Sequence, residues 1–238
     1  MNTPSVRIVL VGASGRMGAA LRDAAPQCGA TIAGLYAAQA RPTEGIAALD
    51  ALDSAESFDV LVDFSRPQAL PALVSLCLRR GSALLTGTTG FGDDERALLQ
   101  RAAVDIPVLA AANFSIGAAV LEALVERASQ ALPDWDCGIV EMHHRGKRDA
   151  PSGTALLLGA AAQHGSGPET ARTVEYASLR GGDIVGEHSV QFSGLGERLE
   201  LVHRATDRGI FARGALEAAR RLRGRPPGSY RFAELLVD

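Results

Sequence analysis

Val6-Arg7-Ile8-Val9-Leu10-Val11-Gly12-Ala13-Ser14-Gly15-Arg16-Met17-Gly18 is the stretch whose reading decides the fold. Its first six residues form an almost continuous apolar run, the pattern of a strand buried on both faces. The run passes directly into glycines spaced G-x-x-G-x-x-G, and a helical pattern over 17–25 follows. Glycine permits positive φ and lets the backbone come close to a ligand. A helix N-terminus adds unpaired N–H donors at the positive end of the dipole. Strand, glycine turn and helix in that order make a cradle for a pyrophosphate, as in dinucleotide-binding folds. A tight βα turn with no ligand would use the same glycines. Placement directly after the first strand favours the cofactor reading.

Working outward, short apolar runs at 31–35, 59–64, 82–86 and 107–110 read as strands, with helical patterns over 67–80 and 93–103. Strand–helix alternation with buried strands predicts a parallel sheet covered on both faces, an α/β fold of Rossmann type. Residues 41–58 offer only a short helix or an irregular excursion, so a βα unit and its strand are expected to be missing there. Near Asn113 the pattern changes. A long amphipathic helix is expected over 116–131 with Ser115 as its N-cap. A strand at 138–142 and a short helix at 155–163 follow. Strands at 172–179, 184–192 and 198–204, separated by glycine turns, predict an antiparallel or mixed sheet. The pattern at 210–223 returns to helix.

Bulk chemistry narrows the function. The 238 residues are 47% apolar and 21% charged with a net charge of −3, an ordinary globular balance with no basic footprint for nucleic acid. The run Arg220-Arg221-Leu222-Arg223-Gly224-Arg225 is short and reads as a solvated helix end. Cys28, Cys77 and Cys137 lie far apart, which argues against a disulfide framework or a zinc site and fits a reducing compartment. Neither a signal-peptide pattern nor an apolar stretch of membrane-spanning length stands out, so a cytoplasmic location without membrane partners is expected.

The second strand bears on the cofactor. NAD-binding folds usually place an acid at its end to hold the ribose. Here Gly34-Leu35-Tyr36-Ala37-Ala38-Gln39-Ala40-Arg41 has none, and the first acid is Glu44. Nothing stands ready to repel a 2′-phosphate, and Arg16 and Arg41 have the charge to pair with one unless both are simply solvated. This leans toward NADPH over NADH.

The densest polar stretch is Glu141-Met142-His143-His144-Arg145-Gly146-Lys147-Arg148-Asp149-Ala150-Pro151-Ser152-Gly153-Thr154. It follows a strand and precedes a helix. Histidine suits proton transfer near neutral pH. Lysine supplies a compact charge for a carboxylate. Ser152, Gly153 and Thr154 stand where the helix begins, so their hydroxyls and N–H groups suit a second carboxylate. Metal binding is disfavoured, because adjacent histidines in an extended segment point apart and no Cys or carboxylate has ligand spacing. A basic surface loop would account for Arg145 and Arg148, but less well for the whole cluster.

These residues resemble one family, the 4-hydroxy-tetrahydrodipicolinate reductases (dihydrodipicolinate reductases) of diaminopimelate and lysine biosynthesis. The likeness runs from about Val6 to Phe232. It rests on the glycine turn, Asp63-Phe64-Ser65-Arg66-Pro67, Gly87-Thr88-Thr89-Gly90, Asn113-Phe114-Ser115-x-Gly117, and above all the segment from Glu141 to Ala155. Gly182-Asp183-Ile184-Val185-Gly186-Glu187-His188, Gly196-Glu197-Arg198-Leu199-Glu200 and Arg208-x-x-Phe211-Ala212-x-Gly214-Ala215 continue it. The resemblance implies a homotetramer that reduces a small dicarboxylate with NADPH or NADH. It implies a dinucleotide domain over 1–112, completed by 214–238, and a mixed α+β domain over 113–213 for substrate binding and oligomerisation. It makes His143 the general acid, with Lys147 beside it in the catalytic set. His144, Ser152, Gly153 and Thr154 would hold the substrate, and Arg208 and Phe211 would close over it. Cofactor contacts would come from Gly12, Ala13, Ser14, Gly15, Arg16, Met17, Phe64, Ser65, Arg66, Gly87, Thr88, Thr89, Ala111, Ala112, Asn113, Phe114 and Phe211. The sequence departs from the pattern in the missing ribose acid, the short segment before Asp63, and the short stretch between Thr154 and Gly182. Two rival readings stand beside this one: a Rossmann reductase of another small imino or keto acid, and an NADPH-binding regulator without turnover.

Overall fold

The computed structural model describes residues 5–167 and 172–237. The chain divides into two compact units, one running through Phe114 and resuming at Phe211–Leu236, the other spanning Ser115–Ile210. Asn113, Phe114 and residues 211–213, expected with the second domain, fall in the first. The reason is packing. The Phe114 ring is 2% exposed and meets Phe64 at 5.6 Å and Phe232 at 5.7 Å between centroids. The ends of the expected domains at 1–4 and 238, and residues 168–171 of the short stretch before Gly182, lie outside the described residues.

The first unit is a seven-stranded sheet. Its elements are β1 (Val6–Val11), α1 (Arg16–Ala24), β2 (Ala30–Ala37), β3 (Ala47–Ala48), β4 (Val60–Asp63), α2 (Leu70–Arg80), β5 (Ala83–Thr86), α3 (Asp93–Ala102) and β6 (Pro107–Ala110). The strand order is β11-β6-β5-β4-β1-β2-β3, all parallel, with β11 (Gly228–Tyr230) joining β6 from the C-terminal tail. The expected loss of a strand before Asp63 is corrected. The segment 41–58 keeps a strand, reduced to Ala47–Ala48 against Tyr36 and Ala37, between two 3₁₀ turns. Two alanines give no strand-length apolar run, so periodicity could not show it. Buried side chains from β1, β4 and β5 pack against α2 and α3 through Val9, Leu61, Leu73, Val74, Leu84 and Leu99.

The second unit is a four-stranded mixed sheet of order β10-β9-β7-β8. Its elements are α4 (Ile116–Ala131), β7 (Asp136–His143), α5 (Gly153–Ser166), β8 (Val174–Arg180), β9 (Gly186–Gly194) and β10 (Glu197–Ala205), and α6 (Gly209–Leu222) leads back to β11 and α7 (Phe232–Val237). Only β7–β8 is parallel. Ser115 caps α4 by accepting from the Ala118 N–H at 3.2 Å, as its sequence position suggests. Strand β7 alternates strictly between buried and half-buried side chains from Cys137 onward. It therefore turns Cys137, Ile139, Glu141 and His143 to one face. The first two join Val190, Phe192, Leu158 and Ala162 in an apolar core, and the last two, at the strand's end, are polar.

Candidate active site

In the first unit, the glycine turn, Phe64–Arg66, Gly87–Thr89 and Ala111–Phe114 all follow the C-terminal ends of neighbouring strands β1, β4, β5 and β6. That edge of an open parallel sheet is where ligands bind. Gly12 has φ +84°, and a Cβ there would lie 2.2 Å from the Phe64 carbonyl oxygen. A Cβ on Gly18 would lie 2.4 Å from Gly12 O, which seats α1 tightly against the turn. Helix α1 has no side-chain cap and no acid in its first turn. The N–H groups of Arg16, Met17 and Gly18 thus have no acceptor within the helix, and the positive dipole end is open to an anion. The residues present fit a dinucleotide pyrophosphate.

Not every predicted contact faces outward. Ala13 is fully buried, and its N–H, like that of Gly12, donates to Tyr36 O, so Ala13 serves the turn and the core. Phe114 turns its ring into the core as described. Thr88 Oγ1 donates to Asp63 at 2.8 Å and accepts from the Ser65 N–H at 3.0 Å. Asp63, 1% exposed, also accepts from Thr86 Oγ1 at 2.7 Å, from the Ser65 N–H at 3.0 Å and from Ser65 Oγ at 2.5 Å. This carboxylate ties the loops after β4 and β5 together. Sequence reasoning gave it no role, although an acid ending an otherwise apolar strand was a signal. Ser14, Arg66, Thr89, Asn113 and the half-buried Phe211 retain partial or full exposure, as does Ala112. Beyond β2, in the 3₁₀ turn Pro42–Glu44, Glu44 binds Arg41 at 3.2 Å and Arg22 at 3.3 Å, so the first acid after the strand is shared by two arginines.

In the second unit, β7 ends on His143, and the loop 144–152 returns the chain to the start of α5. Glu141 holds these two points together. It is completely buried; Oε2 lies 2.5 Å from His143 Nδ1, and Oε1 accepts the Ser152 N–H at 3.2 Å. Arg180, from β8, forks across both oxygens at 2.9 and 2.7 Å and also donates to Asp149 O at 2.7 Å. Burial alone would raise the Glu141 pKa. Hydrogen bonds from Arg180, Ser178 and His143 instead hold it at about 2. Burial pulls the His143 pKa below the ordinary histidine value, with Lys147 and Arg180 acting the same way and Glu141 opposing them.

Lys147 pairs with Asp149 at 2.8 Å, and its N–H closes a turn onto His144 O. His144 is half-buried and Thr154 likewise, whereas Gly153 is exposed with no protein atom within 4 Å of a built Cβ. An anion can approach the backbone there without obstruction. Ser152 requires a correction. It is 1% exposed, and its Oγ accepts from the Ala155 N–H at 3.1 Å and pairs with His188 Nε2 at 3.0 Å. It is the cap of α5, bonded inward, and its hydroxyl does not face a substrate. Arg208 is exposed. The residues that sequence reasoning passed over are Glu141, Arg180 and His188. Glu141 stood in the conspicuous stretch, but its partner Arg180 lies 39 residues away. Among the described residues, no group of three or more His, Cys, Asp or Glu is arranged to hold a metal ion.

Fold and site together define a class: a Rossmann-type dinucleotide unit joined in one chain to a mixed-sheet unit that carries a carboxylate-supported histidine. Solved structures share this architecture. A dipicolinate-bound dihydrodipicolinate reductase from Paenisporosarcina sp. TG-14 superposes with TM-score 0.75 at 20% identity, over 95% of this chain and 97% of that one. The C. glutamicum DAP dehydrogenase in complex with DAP gives 0.62 at 13% identity, over 98% and 94%. Within that class the chain belongs to the dihydrodipicolinate reductase family, whose N-terminal and C-terminal descriptions match residues 6–114 and 117–236. The 4-hydroxy-tetrahydrodipicolinate reductase of Stenotrophomonas maltophilia (strain R551-3) is 56% identical, covering 99% of this chain and all of the relative. That of Xylella fastidiosa (strain 9a5c) is 49% identical over 98% of both.

Proposed function

We propose that this chain reduces 4-hydroxy-tetrahydrodipicolinate to tetrahydrodipicolinate with NAD(P)H, a step toward diaminopimelate and lysine. The carrying observation is that one buried carboxylate, Glu141, touches both His143 and the helix start at Ser152. It supports a proton donor beside an anion-binding helix terminus on one short segment. His143 is the general acid that protonates the reduced substrate. His144, Lys147 and the N–H groups of Gly153 and Thr154 hold the two carboxylates, with Arg208 at the rim. Bound at the glycine turn and the neighbouring loops, NAD(P)H supplies the hydride. NADPH is favoured over NADH, because Glu44 is already neutralised by Arg22 and Arg41. A 2′-phosphate then meets a net positive neighbourhood, whereas a ribose hydroxyl finds no free acid.

Leu179, Leu199 and Val202 stand exposed on β8 and β10. They support a homotetramer assembled through the second sheet. No helix among the described residues is long and apolar enough to cross a membrane, and the proposed location is the cytoplasm.

The decisive experiment is steady-state oxidation of NADPH and of NADH, followed by absorbance, on enzymatically generated substrate. Substrate-dependent turnover with the higher kcat/KM for NADPH is expected. Turnover only on other cyclic or open-chain imino acids would reassign the substrate. Cofactor binding without turnover on any would make the chain a regulator.

A further inference from the structure

Beyond the acid itself, we infer that Glu141 is the positioning residue of this site, fixing the His143 tautomer so that its exchangeable proton sits on Nε2. This rests on the reading of His143 as the proton donor. An ionised carboxylate is an acceptor only, so the 2.5 Å contact requires hydrogen on Nδ1. In both charge states of the ring, Nδ1–H then stays with Glu141. Nε2 alone gains and loses a proton, as for the histidine of a hydrolase triad.

The rest of the cluster serves the same end. His143 faces four titratable or charged groups: Glu141 on its own strand, Lys147 from the loop, Arg180 from β8 and His188 from β9. His188 meets the His143 ring edge-on at 5.2 Å. Burial holds the His188 pKa near 4, so it is neutral at physiological pH and adds no charge. Burial, and with it Lys147 and Arg180, expels the proton from His143, and only Glu141 retains it. Arg180, forked across both carboxylate oxygens, leaves Glu141 too weak a base to take the proton itself. The balance leaves the His143 pKa below the ordinary histidine value, so a proton taken up at Nε2 is readily given away.

Glu141→Gln tests this with little change of shape. The Arg180 fork would claim the single amide oxygen, turning the NH₂ toward Nδ1 and forcing the neutral ring into the Nε2–H tautomer. We expect kcat to fall by ~10²-fold or more with substrate KM changed by less than about threefold, the range of general-acid effects. The pH at which kcat declines should move downward, because the charge retaining the His143 proton is gone. A role confined to folding would lower thermal stability and leave the pH profile of the remaining activity in place. That result, or kcat within about threefold of the parent, would overturn the inference. Should the variant fail to fold, nitrogen-15 shifts of the His143 ring in the unaltered protein, assigned with His143→Gln, decide alone. Retention of Nδ1–H in the neutral ring supports the inference, and an Nε2–H tautomer refutes it. This readout needs no turnover, so a failure of the proposed reaction remains distinguishable from a failure of the dyad.

Discussion

Each unit buries one carboxylate at the C-terminal end of a strand, Asp63 on β4 and Glu141 on β7, and the two are satisfied in opposite ways. Among the described residues, Asp63 accepts only from neutral donors, the hydroxyls of Thr86, Thr88 and Ser65 and a backbone N–H. Glu141 accepts from a guanidinium and a histidine as well as a backbone N–H. Neutral donors can pin two loops and do nothing else. A titratable donor is held in place and also has its proton placed. A buried acid near the end of a strand thus ties loops together in one unit and, on the proposed reading, positions a proton donor in the other.

The largest effect should come from the reactive side of that contrast. His143→Gln removes the donor that Glu141 holds, and kcat should fall ~10²–10⁴-fold. NADPH affinity, measured by fluorescence titration, should stay unchanged. An undiminished kcat would dissolve the distinction between the two carboxylates.

Acid titration sharpens the contrast next. The folded-state pKa of His188 is about 4 against an ordinary 6.5. Between those values the unfolded chain binds a proton that the folded chain refuses, so stability falls as pH drops through that window and is full above it. The full difference corresponds to about 3 kcal/mol. Glu141, held at about 2, extends the loss to lower pH with the same sign. Urea unfolding from pH 7 to 4 should show the decline, and His188→Gln should flatten it. An unchanged slope in that variant would place the titrating group elsewhere.

On the scaffold side, Asp63→Asn leaves hydroxyls facing an amide. We expect about 1–3 kcal/mol lost in urea unfolding, the cost of unmatched buried polar groups. Cofactor binding should weaken, with kcat at saturation nearly unaltered. A large fall in kcat would make Asp63 more than a tie between loops. The smallest effect is expected for Ser152→Ala, which removes the α5 cap. About 1 kcal/mol of stability should go, with little change in substrate KM. A large rise in KM would return the hydroxyl to the substrate.

Much of the site was legible because it is local in the chain. The strand–glycine–helix order shows the turn, since only glycine tolerates φ +84° with a carbonyl where its Cβ would be. His143, Lys147 and Gly153 stand within one short segment. What could not be read is what lies across the sheets. Ser152 looked like a substrate contact until His188, 36 residues on, was found against its hydroxyl. Thr88 and Phe114 looked outward until Asp63 and Phe64 turned them in.

The amino-acid sequence by itself determined the order of elements, the α/β character of the first unit, the mixed sheet of the second and the residue types available for chemistry. Periodicity and turn stereochemistry act over a few residues, and those features need nothing more. Tertiary structure alone decided that β3 survives as two residues, that Ser152 bonds inward, and which groups compensate the buried Glu141. A buried charge must find its compensation wherever the fold brings it. For Glu141 that compensation is Arg180 on the adjacent strand β8, a neighbour in space and a stranger in sequence.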